Sequence, residues 1–199
     1  MTDLNIVLYA EAAMDQVNKM AFALAELQSS LEVYKGLFQD KEDAEVMFLQ
    51  FHEIGSALKK SLSVNLIIGC AALFTDHDES FGHENMSFGN LYKRYGNKLS
   101  IEANSLKGEI DQIVESMKLK TFRNKHVGHF GLEEKLGKKT VAANITTHDL
   151  EKLMKQGQRI INLIIRDAHL LPAGHSLAYY TPIPDSRTPK RLLDRLRRA

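Results

Sequence analysis

The chain has 199 residues and a formal net charge of +1, with 44% hydrophobic and 26% charged residues. This length predicts one domain with a short tail, and the composition excludes a chain that is disordered throughout. The longest apolar run, residues 66–74, is far shorter than the roughly 20 residues that cross a bilayer. No basic, signal-like segment opens the chain, and the single cysteine, Cys70, excludes an internal disulfide. We therefore expect a cytoplasmic protein with no membrane partner.

Helical periodicity dominates the first third of the chain. A first helix is predicted over residues 4–38, which are rich in strong helix formers. Asp40 is placed to cap a second helix that runs to about Phe74. Apolar residues recur in this second helix at steps of three and four, which predicts one buried stripe; they are Met47, Phe51, Ile54, Leu58 and Leu62. Residues 66–74 are apolar on all sides, so we expect them at the centre of the core and the two helices as an antiparallel pair.

The middle of the chain predicts a connector and two further long helices. A short helix is expected over residues 85–95, ended by Gly96 and Asn97. The third long helix starts near Ser100, and its stripe predicts a continuous helix that runs directly into residues 123–129; the stripe is Leu106, Ile110, Ile113 and Met117. Residues 146–149 resemble a capping box that opens a fourth helix, which Leu171 and Pro172 stop.

These elements predict an all-α protein, a four-helix bundle over residues 1–171 with a short extra helix in the connector between helices 2 and 3. Residues 172–199 hold all four prolines and are expected to form a C-terminal arm. Within the arm, residues 187–198 carry six basic side chains against one acidic side chain. This tail is either a solvated helix or a contact for RNA phosphates or an acidic partner.

Two other features suggest chemistry but have simpler explanations. Cys70 lies within the most apolar run, where a thiolate is disfavoured, so we expect it to serve packing only. Carboxylates and imidazoles gather at Asp76, His77, Asp78 and His83, but their spacing matches no standard metal site. We expect a solvated acidic loop and neither a metal nor a cofactor, and keep a metal-dependent hydrolase at these four residues as a weak alternative.

The strongest candidate site is the segment Arg123 to His129, which reads Arg-Asn-Lys-His-Val-Gly-His. Cationic side chains at the end of a helix complement its dipole, and this role alone could explain the segment. The functional interpretation is a phosphodiester site, because arginine offers a rigid, permanently charged fork for phosphate oxygens. Histidine titrates near neutrality and can move a proton to or from a ribose oxygen, while Asn124 can orient either group.

Cleavage by internal attack benefits from two proton-transfer groups. In a two-fold dimer each residue is repeated across the axis, so two copies of the segment brought together supply both groups. The site hypothesis therefore predicts a homodimer.

The phrase Arg-Asn, four residues and then His, entered from the end of a long helix in a four-helix bundle, resembles the HEPN superfamily. The connector and the residues around the motif look most like its abortive-infection branch. The resemblance implies a metal-independent endoribonuclease that leaves a 2′,3′-cyclic phosphate, acting from a homodimer cleft in a bacterial toxin or phage-defence system. It implies that Arg123 binds the scissile phosphate, His129 is the acid/base residue and Asn124 orients it. Lys125 and His126 would be accessory RNA contacts.

RNA is then the expected substrate, and an antitoxin protein a possible partner. Many members of the superfamily keep the bundle without cleaving RNA, so the fold alone does not establish activity. The main alternative is a non-catalytic helical module that binds a protein or nucleotide partner.

Overall fold

The computed structural model describes residues 2–76, 79–80, 83–124, 145–171 and 188–198, with side chains from Met14 onward apart from residues 79–84. Helices α1 (Thr2–Phe38), α2 (Lys41–Gln50), α3 (His52–Thr75) and α4 (Phe88–Tyr95) come first. A 3₁₀ turn (Gly96–Lys98) leads to α5 (Ile101–Met117) and the short α6 (Leu119–Phe122). Then follow α7 (Thr147–Asp167) and α8 (Pro189–Leu196). Between α3 and α4, strands β1 (Glu79–Ser80) and β2 (His83–Glu84) pair antiparallel, with Glu79 opposite Glu84.

The four long helices form the predicted all-α bundle, in which α3, α1, α7 and α5 follow one another as antiparallel neighbours. Asn65 of α3 donates to Ser30 of α1 at 3.3 Å, and Gly69, later in α3, lies against Leu27, earlier in α1. The two contacts confirm the expected antiparallel pair. Lys35 of α1 bonds Glu151 of α7 at 2.8 Å. Most of the buried apolar side chains lie in one core between these helices, which α4 and α6 help to close.

The local signals for helix starts are confirmed. Asp40, Ser100 and Thr146 each accept a backbone N–H in the first turn of the helix that follows. Ser87, which was not predicted as a cap, does the same for α4. At α7 the capping box is complete, because Asp149 also accepts the N–H of Thr146 at 3.1 Å.

The second predicted helix is two helices, and its single buried stripe is wrong. Phe51 has an extended φ of −145° and separates α2 from α3. At Gly55 a Cβ would come within 3.2 Å of the Met47 carbonyl oxygen, so glycine allows the first turn of α3 to lie close against α2. The bend leaves Phe51 42% and Ile54 63% exposed, while Met47 remains buried.

The prediction that the third helix runs straight into the candidate segment is also wrong. Lys118 adopts the left-handed conformation, with φ 50° and ψ 37°, and ends α5. Met117 and Leu119 are both buried. Side chains two residues apart on a continuous helix point about 200° apart, so the break allows both to enter the core. The short α6 that follows packs on α3.

Helix α3 is the most apolar of the described helices. By length and composition alone it is long enough to cross a membrane, with a mean hydropathy of 1.4 over its most apolar window. The same composition is typical of helices in the core of a bundle. Leu66, Cys70, Ala71 and Leu73 face the core as expected, but Ile68 is 40% exposed, so the run is not buried on all sides.

A second, smaller core lies at the far end of α1. It is formed by Leu37 and Phe38 of α1, Ala44 and Met47 of α2, and Leu193 of α8. The basic tail therefore begins as a helix that is docked on the bundle.

Candidate functional site

Arg123 and Asn124 directly follow α6 and continue it as a wider helical turn. The Nε of Arg123 donates to Oδ1 of Asn124 at 3.2 Å. Its Nη1 forms an ion pair with Oδ1 of Asp76, at the end of α3. The side chains of Arg123 and Asp76 are 25% and 28% exposed. Two of the predicted site residues are therefore held together at the surface.

Asp76 is the residue that the sequence does not assign to this site. It immediately follows α3 with φ −72° and ψ 147°, and it meets Arg123 because the break at Lys118 allows α6 to pack on α3. The sequence suggests it only as one of four candidate ligands of the metal alternative. The partners are 47 positions apart in the chain, which leaves no local signal for the contact.

The remaining predicted site residues, Lys125, His126 and His129, lie outside the described residues. Their roles stay predictions.

A groove between α1 and α3 lies beside the ion pair and has a volume of about 350 Å³. Asp76 forms part of its wall, and so do Ala23 and Glu26 of α1 and Gly69 and Ala72 of α3. The connector residues Asn85 and Met86 complete this wall. Met86 is 43% exposed, and Phe22 and Ile68, which adjoin the lining residues Ala23 and Gly69 in the chain, are also exposed. The surface next to Arg123 is thus apolar with a charged edge.

The metal alternative gains no support from the described residues. Among them, no group of three or more histidine, cysteine, aspartate or glutamate side chains is placed to hold an ion. Of the four residues considered, Asp76 is paired with Arg123, His77 and Asp78 lie outside the described residues, and His83 is described only by its backbone pairing with Ser80.

Cys70 is fully buried in the main core. Burial raises the pKa of its thiol to about 12 because the thiolate loses its hydration. At neutral pH the side chain is a neutral thiol, so the expectation that it serves packing is confirmed.

Comparison with known proteins identifies the family of the chain. The family model HEPN_AbiU2, described as AbiU2, matches residues 56–187, which is more than half of the chain. The match includes most of α3, the connector, α5, α6 and the predicted motif. No curated protein and no solved structure matches the chain significantly. The chain therefore belongs to the HEPN_AbiU2 family, a HEPN-type family associated with abortive infection.

Proposed function

We propose that the chain is a metal-independent endoribonuclease of a bacterial toxin or phage-defence system, acting in the cytoplasm. The observation that carries the proposal is the placement of Arg123, in a chain of an abortive-infection HEPN family. Its guanidinium is fixed by Asn124 and Asp76 yet remains partly exposed. The exposed part of the guanidinium can be reached by a phosphate oxygen.

The proposed reaction is attack of a ribose 2′-oxygen on the adjacent phosphorus. A base removes the 2′-hydroxyl proton as the new P–O2′ bond forms. The P–O5′ bond breaks, and an acid protonates the leaving 5′-oxygen. The products are a 2′,3′-cyclic phosphate and a free 5′-hydroxyl. The reaction consumes no water, and no metal takes part in it. His129 is assigned the proton transfer, and Arg123 the charge that develops on the phosphate oxygens.

The homodimer is part of the proposal. The groove next to Arg123 carries exposed apolar side chains, and a second copy placed there brings the two motifs toward each other. It also removes apolar surface from water. Lys125 and His126 are proposed as accessory contacts to RNA, and an antitoxin protein is a further possible partner.

The alternative is a non-catalytic module in which Arg123 and Asp76 only link α6 to α3. The ion pair itself favours this alternative, because a carboxylate already occupies one arm of the guanidinium. The two functions differ in what removing the arginine does: a structural arginine affects stability, and a catalytic one affects cleavage.

Alanine variants of Arg123 and His129 test the proposal. We expect each to abolish RNA cleavage, and any toxicity to cells, while circular dichroism and the melting temperature show a folded protein. Arg159→Ala is the matched control, since Arg159 is an exposed arginine of α7 that bonds only Gln156 among the described residues. Undiminished cleavage by the Arg123→Ala/His129→Ala double variant would contradict the assignment.

A further inference from the structure

The helix α8 presents two opposite faces of different chemistry. Pro189, Leu193 and Leu196 lie within about 60° of one another on a helical projection and form the inner face. Leu193 is fully buried, and Gly36 of α1 lies so close that a Cβ there would come within 2.8 Å of Pro189. An ion pair between Arg197 and Asp43 of α2 also fixes the helix in place.

The outer face is made of arginine. Arg191 and Arg195 are four residues apart, which places them on one side of the helix and opposite Leu193. Arg198 follows three residues later, in the turn directly after α8. All three are exposed. Within the part of the chain that the structure describes, none of their guanidinium groups has an ion-pair or hydrogen-bond partner. We call these three side chains the arginine face.

Folding of the protein does not require the charges of the arginine face. The apolar side of α8 and the Arg197 pair already dock the helix, and three adjacent cations repel one another over a span of about 10 Å. A membrane is an unsuitable partner, because a helix that lies on lipid inserts its apolar face. Here that face is occupied by the core. The exposed guanidinium forks match the geometry of phosphate oxygens instead.

We propose that the arginine face of α8 binds the backbone phosphates of RNA, as a second contact remote from the cleavage site. This inference rests on the proposed function for RNA as the ligand. It concerns a part of the chain that lies after the region matched by the family model, which ends at residue 187. The face recognises phosphate spacing and charge, so it binds RNA without sequence preference.

The position of the face sets the kind of RNA that uses both contacts. Leu27 of α1 packs at Gly69 of α3. Gly36, which contacts α8, lies nine residues beyond this level on α1. Asp76, which binds Arg123, lies seven residues beyond it at the end of α3, in the opposite direction along the bundle. At about 1.5 Å per residue the two ends are about 24 Å apart. A dinucleotide reaches only the cleavage site, whereas a longer strand reaches both.

Binding of an RNA that cannot be cleaved tests the inference. The probe is a fluorescein-labelled 2′-O-methyl oligoribonucleotide of roughly 30 nucleotides, followed by fluorescence anisotropy between about 50 and 200 mM salt. The variant is Arg191→Gln/Arg195→Gln. The control is Lys60→Gln/Lys98→Gln, which removes the same charge from exposed positions on α3 and the 3₁₀ turn.

We expect the slope of log Kd against log salt to fall by about 1.4 in the arginine variant, or about 0.7 per lost phosphate contact. The weakening between the two salt concentrations then shrinks by about sevenfold. Arg191→Lys/Arg195→Lys should keep the wild-type slope. An unchanged slope in the glutamine variant, or an equal fall in the control, would overturn the inference. The inference would also be overturned if the glutamine variant bound RNA normally but no longer bound poly-glutamate, because the face would then bind an acidic protein.

The probe separates this inference from the proposed function, because blocking the 2′-oxygen makes binding independent of cleavage. A protein that cleaves no RNA but shows the expected fall in slope contradicts the proposed function alone. A protein that cleaves RNA but binds equally in all variants contradicts the inference alone.

Discussion

Arg123 is held by two different kinds of partner. Its Nε donates to the neutral amide oxygen of Asn124, and its Nη1 donates to the carboxylate of Asp76. The ion pair is partly exposed, and pairs of this kind contribute only about 1 kcal/mol. A phosphate dianion or diester can therefore approach the guanidinium without the large free-energy cost of breaking a buried ion pair. In the proposed function Asp76 acts as a positioning residue, because its ion pair holds the guanidinium of Arg123 in place.

This role predicts the effect of Asp76→Asn, which keeps the shape of the side chain and removes its charge. We expect kcat for RNA cleavage to fall about tenfold or more, because a misplaced arginine stabilises the transition state poorly. KM should not rise, since the freed guanidinium still attracts phosphate. Steady-state kinetics with a labelled RNA measure both quantities.

Asp111→Asn is the matched control, because Asp111 forms an ion pair with Lys107 on the exposed face of α5. It should leave both kinetic constants unchanged. Wild-type kcat in Asp76→Asn, or an equal loss in Asp111→Asn, would show that Asp76 does not position Arg123.

The two kinds of residue at this site differ in how far the sequence reveals them. Arg123, Asn124 and His129 are close in the chain, so their chemistry and spacing alone identify a candidate motif. Asp76 is brought to Arg123 only by the left-handed turn at Lys118 and the packing of α6 on α3. No glycine, proline or local pattern in the sequence predicts either the turn or the packing.

At the scale of elements, caps were predictable and breaks were not. Ser100 and Thr146 were identified as helix starts because a cap and its partners lie within three residues. The breaks at Phe51 and Lys118 depend on what the surrounding helices bury. A stripe at steps of three and four continues through Phe51 in the sequence, yet the chain bends there and exposes part of it.

Two glycines within helices provide a matched prediction about packing. At Gly157 of α7 a Cβ would lie 2.8 Å from the ring of Phe74 and 3.2 Å from Leu24. At Gly108 of α5 nothing lies within 4 Å. We expect Gly157→Ala to destabilise the fold by about 1–3 kcal/mol, because overpacking outweighs the gain in helix propensity. Gly108→Ala should stabilise it by about 0.5–1 kcal/mol.

Urea unfolding followed by circular dichroism measures both changes against the wild type. A Gly157→Ala variant as stable as Gly108→Ala would mean that α1, α3 and α7 do not meet closely at this level. The arrangement of the bundle beside the groove would then be wrong.

At the scale of the whole molecule, the bundle places its candidate chemistry and its exposed apolar groove at the same end. The docked helix α8 lies at the other end, on the second core. The sequence predicted the four long helices and the basic tail from local patterns. It did not predict that the tail docks on α1 and α2, because the contact of Leu193 joins parts of the chain that are more than 140 residues apart.

The proposed dimer predicts a dependence on the groove. Met86→Glu places a charge on its exposed wall and should convert a dimer of about 45 kDa into the 22.5 kDa monomer, with loss of cleavage. Size-exclusion chromatography with light scattering measures the mass. Leu49→Glu is the control, because Leu49 of α2 is 85% exposed and lies away from the groove. A Met86→Glu protein that stays dimeric and active would place the interface elsewhere.

The central claim is RNA cleavage without a metal, and the ends of the products test it most directly. Purified wild-type protein and His129→Ala are incubated with a labelled RNA oligonucleotide in excess chelator, and the products are separated on a gel and treated to identify their termini. The account predicts fragments with 2′,3′-cyclic phosphate and 5′-hydroxyl ends from the wild type alone. Cleavage that the chelator abolishes, or equal cleavage by His129→Ala, would contradict it.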